Sequence, residues 1–252
     1  MVNNGHKHIL SRVPEARSGH GVGELIIVNS VENAPEPESH EPQEPQEPQH
    51  EVGVGPWEGE WPTGDRWDPE LLENGDRRNV LDQYRYWKHD AIVAELDSRR
   101  HEFHIAIENW QHDLNIGTVV RTANAFLAKE VHIIGRRRWN RRGAMVTDKY
   151  QHIRHHPTVD DFVAWAQAEG YTIIGIDIFP DSVPLETFDL PKRCVLVFGQ
   201  EGPGLSAEVH DAAAATLSIE QFGSTRSMNA ASAAAIAMHA WIRRHVFNQH
   251  VS

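Results

Sequence analysis

The chain has 252 residues, with 24 Lys/Arg against 36 Asp/Glu for a formal net charge of -12, 40% hydrophobic residues and one cysteine. That balance excludes a surface that attracts nucleic acid as a whole, and the lone Cys194 excludes an intramolecular disulfide or a cysteine-built zinc cluster. No apolar run approaches the roughly 18 residues needed to span a bilayer, and no basic-then-apolar signal opens the chain, so no membrane partner and a cytoplasmic location are expected.

Composition divides the sequence near residue 88. Residues 1–88 hold 8 Lys/Arg against 17 Asp/Glu, a net of -9, whereas residues 89–252 hold 16 against 19, a net of -3. Residues 1–54 read as an acidic leader whose Glu-Pro-Gln repeats, at Glu41, Glu44 and Glu47, predict disorder or partial polyproline II. Residues 25–28 are its one short apolar run. Residues 55–88 carry Trp57, Trp61, Trp67 and Trp87 and read as a linker that either docks on the core or stays loosely attached. Residues 89–252 are expected to be one folded domain.

Within that domain Ala91, Ile92, Ala94 and Leu96 suggest a short helix, and residues 103–107 alternate as a strand. Further strands are predicted over 131–134, 171–178, 194–198 and 216–219, separated by helices over 116–127, 159–169 and 206–214. Alternating strands and helices imply an α/β domain, a mostly parallel sheet covered by helices. Thr158 is a capping hydroxyl for the helix over 159–169, and Gly170 ends it. The last helix, over 228–246, is apolar on nearly all sides up to Ile242, which predicts burial, with a second subunit as a candidate partner.

Three polar stretches sit where elements begin or end. Asn115, Gly117, Arg121 and Thr122 open the helix over 116–127, with Asn115 a candidate N-cap and Arg121 either a surface arginine or a crevice group. Gly199, Glu201, Gly202, Pro203 and Gly204 follow the strand over 194–198, either as a sharp turn or as backbone that approaches a ligand; the spacing is not that of a dinucleotide site. Gln221, Gly223, Ser224, Thr225, Ser227 and Asn229 lead into the last helix, where Ser227 or Asn229 is a cap or more than a cap. Arg136, Arg137, Arg138, Arg141 and Arg142 surround Trp139, giving the best phosphate-contacting patch in the chain beside the bland reading of a solvated loop. His152, His155 and His156 lack the spacing of a zinc site, so no metal is expected.

These three stretches, in this order, resemble the SpoU/TrmH class of SPOUT methyltransferases over about residues 102–246. The resemblance implies an S-adenosylmethionine-dependent enzyme that methylates the ribose 2′-hydroxyl of RNA, with tRNA as first choice and rRNA as the alternative. It also implies a C-terminal trefoil knot and a homodimer packed through the last helix. Its site would comprise Asn115, Arg121, Glu201, Ser227 and Asn229 as catalytic residues, Gly199, Gly204, Ile219 and Met228 around the cofactor, and Arg136–Arg142 with Trp139 on the RNA. This chain has Glu220 and Met228 where the family usually has proline and leucine. A non-catalytic knotted RNA-binding protein is the rival reading, and intact Asn115, Arg121, Glu201 and Asn229 speak against it.

Overall fold

The computed structural model describes residues 53–110 and 115–249; the Glu-Pro-Gln repeats and the run at 25–28 lie outside the described residues. The segment before the predicted domain contains a short helix, α1 (Pro69–Asn74), capped by Asp68. Antiparallel bridges join Val54 to Asp76 and Trp67 to Trp87. Trp57 stands edge-on to Tyr86 with centroids 5.3 Å apart, and Arg66 lies 4.8 Å from the Trp87 ring centre. The buried carboxylate of Asp76 accepts from Arg78 Nε at 2.9 Å, Arg78 N at 3.0 Å and Tyr86 N at 2.9 Å, and these donors hold it at about 2 against the opposing effect of burial. Tyr84 packs with Ile92 of α2 (His89–Asp97) and with Tyr150.

From residue 103 strands and helices alternate: β1 (Phe103–Asn109), α3 (Ile116–Ala125), β2 (Val131–Gly135), β3 (Ile153–His156), α4 (Val159–Glu169) and β4 (Thr172–Ile176). Then follow β5 (Val183–Pro184), β6 (Cys194–Phe198), α5 (Ala207–Ala212), β7 (Ala215–Ser218) and α6 (Ala230–His245). Among the described residues all seven strands of the sheet are parallel, in the order β3-β2-β1-β6-β4-β7-β5. The central strand β6 pairs Cys194 with both Phe103 and Thr172.

Alternation in β1 sorts the two layers. Phe103, Ile105 and Ile107 join α3 and α6 in one core, while Ala106 joins α4 and α5 in the other. In the first core Phe103 lies 4.4 Å, centroid to centroid, from Trp241, whose indole donates to the carbonyl of Lys192 at 3.2 Å. Burying a side chain of this size contributes roughly 3 kcal/mol. Cys194 is fully buried, and burial pushes its thiol up to about 12.

The helix over 159–169 has the predicted bounds: the Thr158 hydroxyl accepts from Asp161 N at 3.1 Å, and Gly170 closes the end at φ 70°. Three expectations need correction. The strand predicted over 171–178 stops at Ile176, because the Asp177 carboxylate turns to accept from Ile178 N at 2.7 Å and Leu205 N at 2.7 Å. The helix predicted from residue 228 starts at Ala230. The edge strands β3 and β5 were not predicted; one is rich in charge and histidine and the other is two residues long with a proline, as unpaired sheet edges tend to be.

Candidate active site

At the carboxyl ends of β4, β6 and β7 a cleft of about 250 Å³ opens, the place where open parallel sheets receive ligands. Ile176, Phe198, Ile219, Met228 and Ala233 give it apolar walls, and Asp177, Gln200, Glu201, Ser227 and Asn229 bring polar groups to it.

The wall after β6 is a tight turn. Gln200 N donates to Gly204 O at 3.2 Å and Gly204 N to Gln200 O at 3.0 Å, with Gly202 at φ 101° and Gly204 at φ 75°. A Cβ at Gly199 would overlap the backbone of Gly204 and Leu205, and one at Gly204 would strike the Asp177 carboxylate. The turn is anchored from β1: Gln200 Oε1 accepts from Trp110 N at 2.8 Å, and the buried Glu108 accepts from Trp110 Nε1 at 2.9 Å and Ser206 N at 2.7 Å. Backbone N–H groups that would otherwise be orphaned thus fix the loop's position.

The three polar stretches meet through side chains. Asn115 Nδ2 donates to Glu201 Oε2 at 2.8 Å, and Asn229 Nδ2 donates to Asn115 Oδ1 at 2.9 Å. Asn229 Oδ1 also accepts from Ala231 N at 2.9 Å and Ser232 N at 3.3 Å, so one side chain both caps α6 and joins the site. Asn115 occupies the N-cap position of α3 without a side-chain cap bond, which corrects the expectation that it caps. Its amide is turned to Glu201 and Asn229 instead. The cofactor candidates Gly199, Gly204, Ile219 and Met228 all line the cleft, as does Ser227. Arg121 does not: it is exposed on α3, outside the residues that line the cleft in a single chain. Asp177 and Gln200 were missed; the signal for Asp177 was an acid at the end of a predicted strand, hidden by extending that strand too far.

The arginine loop springs from the neighbouring strand end. Asn109 Nδ2 donates to the carbonyls of Arg136 at 2.7 Å and Arg138 at 2.9 Å, which shapes the loop. Arg136, Arg137, Arg138, Arg141 and Arg142 are exposed. Trp139 is half-buried against the core, and Arg141 lies 5.5 Å from its ring centre. The predicted free stacking surface is therefore partly spent within the loop.

The predicted histidine group separates. His152 Nε2 meets Asp97 at 2.8 Å and His155 Nε2 meets Gly135 O at 2.7 Å. His156 Nε2 instead meets His132 Nδ1 at 2.9 Å, and His132 Nε2 meets His104 Nδ1 at 2.8 Å, a chain of three buried rings across β1, β2 and β3. Burial pushes His104 down to about 3, holds His132 well below its ordinary value and lowers His156, so all three stay neutral. His104, Glu130 and His132 bring donor atoms within 4.8 Å of one another. The two rings bond each other through His104 Nδ1 and His132 Nε2, and Glu130 Oε2 holds Arg154 Nε at 3.0 Å.

Known proteins are similar to this chain in sequence and fold. A tRNA (guanosine(18)-2′-O)-methyltransferase of Borreliella burgdorferi is 26% identical over 160 residues, 62% of this chain and 73% of that protein. The crystal structure of an AdoMet-bound rRNA methyltransferase from Sinorhizobium meliloti superposes with TM-score 0.52 at 26% identity, over 61% of this chain and 60% of that one. A TrmH/SpoU tRNA modifying enzyme of A. aeolicus shares the fold, with TM-score 0.56 at 21% identity over 64% of this chain and 84% of that one. The family described as SpoU rRNA Methylase matches residues 102–239, more than half of the sequence and every element from β1 to the middle of α6, and this chain belongs to it.

Proposed function

We propose that the chain is an RNA ribose 2′-O-methyltransferase using S-adenosylmethionine, acting on tRNA in preference to rRNA. The observation that carries this reading is the side-chain link from Asn115 through Glu201 and Asn229 at the mouth of a glycine-walled cleft, joining residues 86 and 114 positions apart. The cleft fits the cofactor's chemistry: apolar walls suit an adenine, and Asp177 and Glu201 suit a positively charged sulfonium. Gly199, Gly204, Ile219 and Met228 would hold it, and when bound it supplies an already activated methyl group.

The protein's part is then alignment and proton handling. Glu201 fixes the Asn115 amide, Asn229 fixes it from the other side, and Ser227 borders the same opening. Arg121 lies outside the cleft of a single chain, so it would orient the hydroxyl and its neighbouring phosphate from the second copy of the proposed homodimer, and not as a base, since a guanidinium does not readily give up a proton. Arg136, Arg137, Arg138, Arg141 and Arg142 grip the RNA backbone, and Trp139 offers its uncovered face. The names of relatives such as the Borreliella burgdorferi protein favour tRNA; the Sinorhizobium meliloti structure keeps rRNA as the second reading.

Two finer features belong to the same proposal. A C-terminal trefoil knot is supported by β6 lying between β1 and β4 while α6 packs back on the α3 layer. A homodimer through α6 is supported by the exposed Ile236 on that helix, at 41% exposure. Among the described residues no helix is long and apolar enough to cross a membrane.

Titration calorimetry with S-adenosylmethionine, followed by radiolabelled methyl transfer to bulk tRNA and bulk rRNA and nucleoside analysis, tests the reading. Binding, with label recovered as a 2′-O-methylnucleoside, is expected; a chain that ignores the donor overturns it.

A further inference from the structure

A second groove lies between the tryptophan-rich segment and the core, and none of the proposed chemistry uses it. It encloses about 700 Å³ and is lined by Arg77, Arg78 and Asn79 from one side and by His89, Met145, Val146, Lys149 and Tyr150 from the other. The residues of its first wall precede the part of the chain that the family shares, which begins at residue 102.

Its charge is unusual for so acidic a chain. Arg77 and Lys149 are exposed, and among the described residues neither takes part in an ion pair, whereas Arg78 is held by Asp76 at 2.7 Å. The floor is firm: His89 Nε2 meets the Lys149 carbonyl at 2.9 Å, the His89 and Tyr150 rings lie 5.0 Å apart, and Tyr150 is buried. The rim is apolar and strained. Met145 and Val146 are 54% and 56% exposed, and both sit in the left-handed region, at φ 47° and 69°. A β-branched residue seldom adopts that conformation, and here it turns two apolar side chains toward water between cations. Arg142 opens the short helical turn Arg142–Ala144 just before Met145, so the chain runs directly from the arginine loop into the rim of the groove.

We infer that this groove is a second binding site for the RNA substrate, in which Arg77 and Lys149 hold phosphates and Met145 and Val146 meet an unstacked base. The inference rests on the RNA reading above and extends the substrate surface onto residues the family match does not include. A flexible single-stranded segment brings a backbone to neutralise and an apolar base face to cover, and the groove sets cations beside exposed apolar groups.

The test uses the full chain, bulk tRNA and anisotropy measured over a range of salt. Arg77→Gln with Lys149→Gln should weaken binding severalfold at about 100 mM salt and lower the slope of log K against log salt by about 0.7–0.9 for each phosphate no longer neutralised. S-adenosylmethionine affinity should not move. Val146→Gly, which suits a left-handed backbone and so should fold as well or better, should also weaken binding, with the salt slope unchanged. Unchanged RNA affinity and slope in the double variant, with S-adenosylmethionine still bound, would overturn this site alone; a wild-type chain that binds neither RNA nor the donor would overturn the functional reading with it. Tighter binding in the double variant would also overturn the site.

Discussion

Two ends of one sheet use polar side chains in opposite ways. At the β4–β6–β7 end Glu201 and Asn229 are exposed, Asn115 is half-buried between them, and all three are bonded across elements far apart in the chain. On the β1–β2–β3 flank His104, His132 and His156 are buried under Trp165 and Phe162 and bonded to one another. The first set can exchange partners with an incoming molecule, while the second would lose hydrogen bonds by doing so. Residue type does not separate a reaction site from a polar core; exposure and the identity of the partner do.

Four measurements break or sharpen that contrast. Gly199→Ala forces a side chain into the backbone of the Gly204 turn, so we expect a loss of about 1–3 kcal/mol in denaturant unfolding and no detectable S-adenosylmethionine binding. An alanine variant that binds the donor normally would show that the turn does not shape the cleft. Glu201→Gln removes the charge that holds the Asn115 amide; methyl transfer should fall roughly 10–100-fold, about 1.4–2.7 kcal/mol of barrier, with the melting temperature little changed. Wild-type rates in that variant would reduce Glu201 to a turn residue.

The flank predicts a pH effect. Its histidines titrate below their unfolded value of about 6.5, so protons bind the unfolded chain more readily. Their stabilisation is complete above pH 6.5 and drains as pH falls from there toward about 3, the value for His104. Each histidine kept neutral contributes a slope of up to about 1.4 kcal/mol per pH unit in that window. Urea unfolding at pH 7.5 and 5.5 should show the loss, and His132→Gln should flatten it; an equal slope in both proteins would remove the chain of rings as its source. The smallest effect belongs to Asn229→Ala, where the lost α6 cap should cost about 1 kcal/mol, and transfer should fall further than that loss of stability explains.

Strands β1, β2 and β6 and helix α4 were legible because apolar runs and caps are local signals, carried by Phe103, Val131, Cys194, Thr158 and Gly170. The edge strands were not, since β3 reads Ile-Arg-His-His and takes its structure from pairing with β2. In the cleft the motif residues were legible, but the bond partners were not: Asn115 looked like a cap because it precedes a helix, and only the fold brings Glu201 to it. The histidine chain was invisible, because His104 and His132 lie on separate strands and resemble ordinary alternating polar positions.

The position of β6 has a consequence for how the chain is made. During synthesis β1, β2 and β3 emerge early and can pair with one another, but β4 has no neighbour until residues 194–198 arrive to sit between it and β1. Joining strands so distant along the chain is slow, because the intervening loop must be closed first. The half of the sheet that carries the cleft is therefore the last to close, and a nascent chain halted before residue 198 would display a completed histidine flank beside an unfinished binding end.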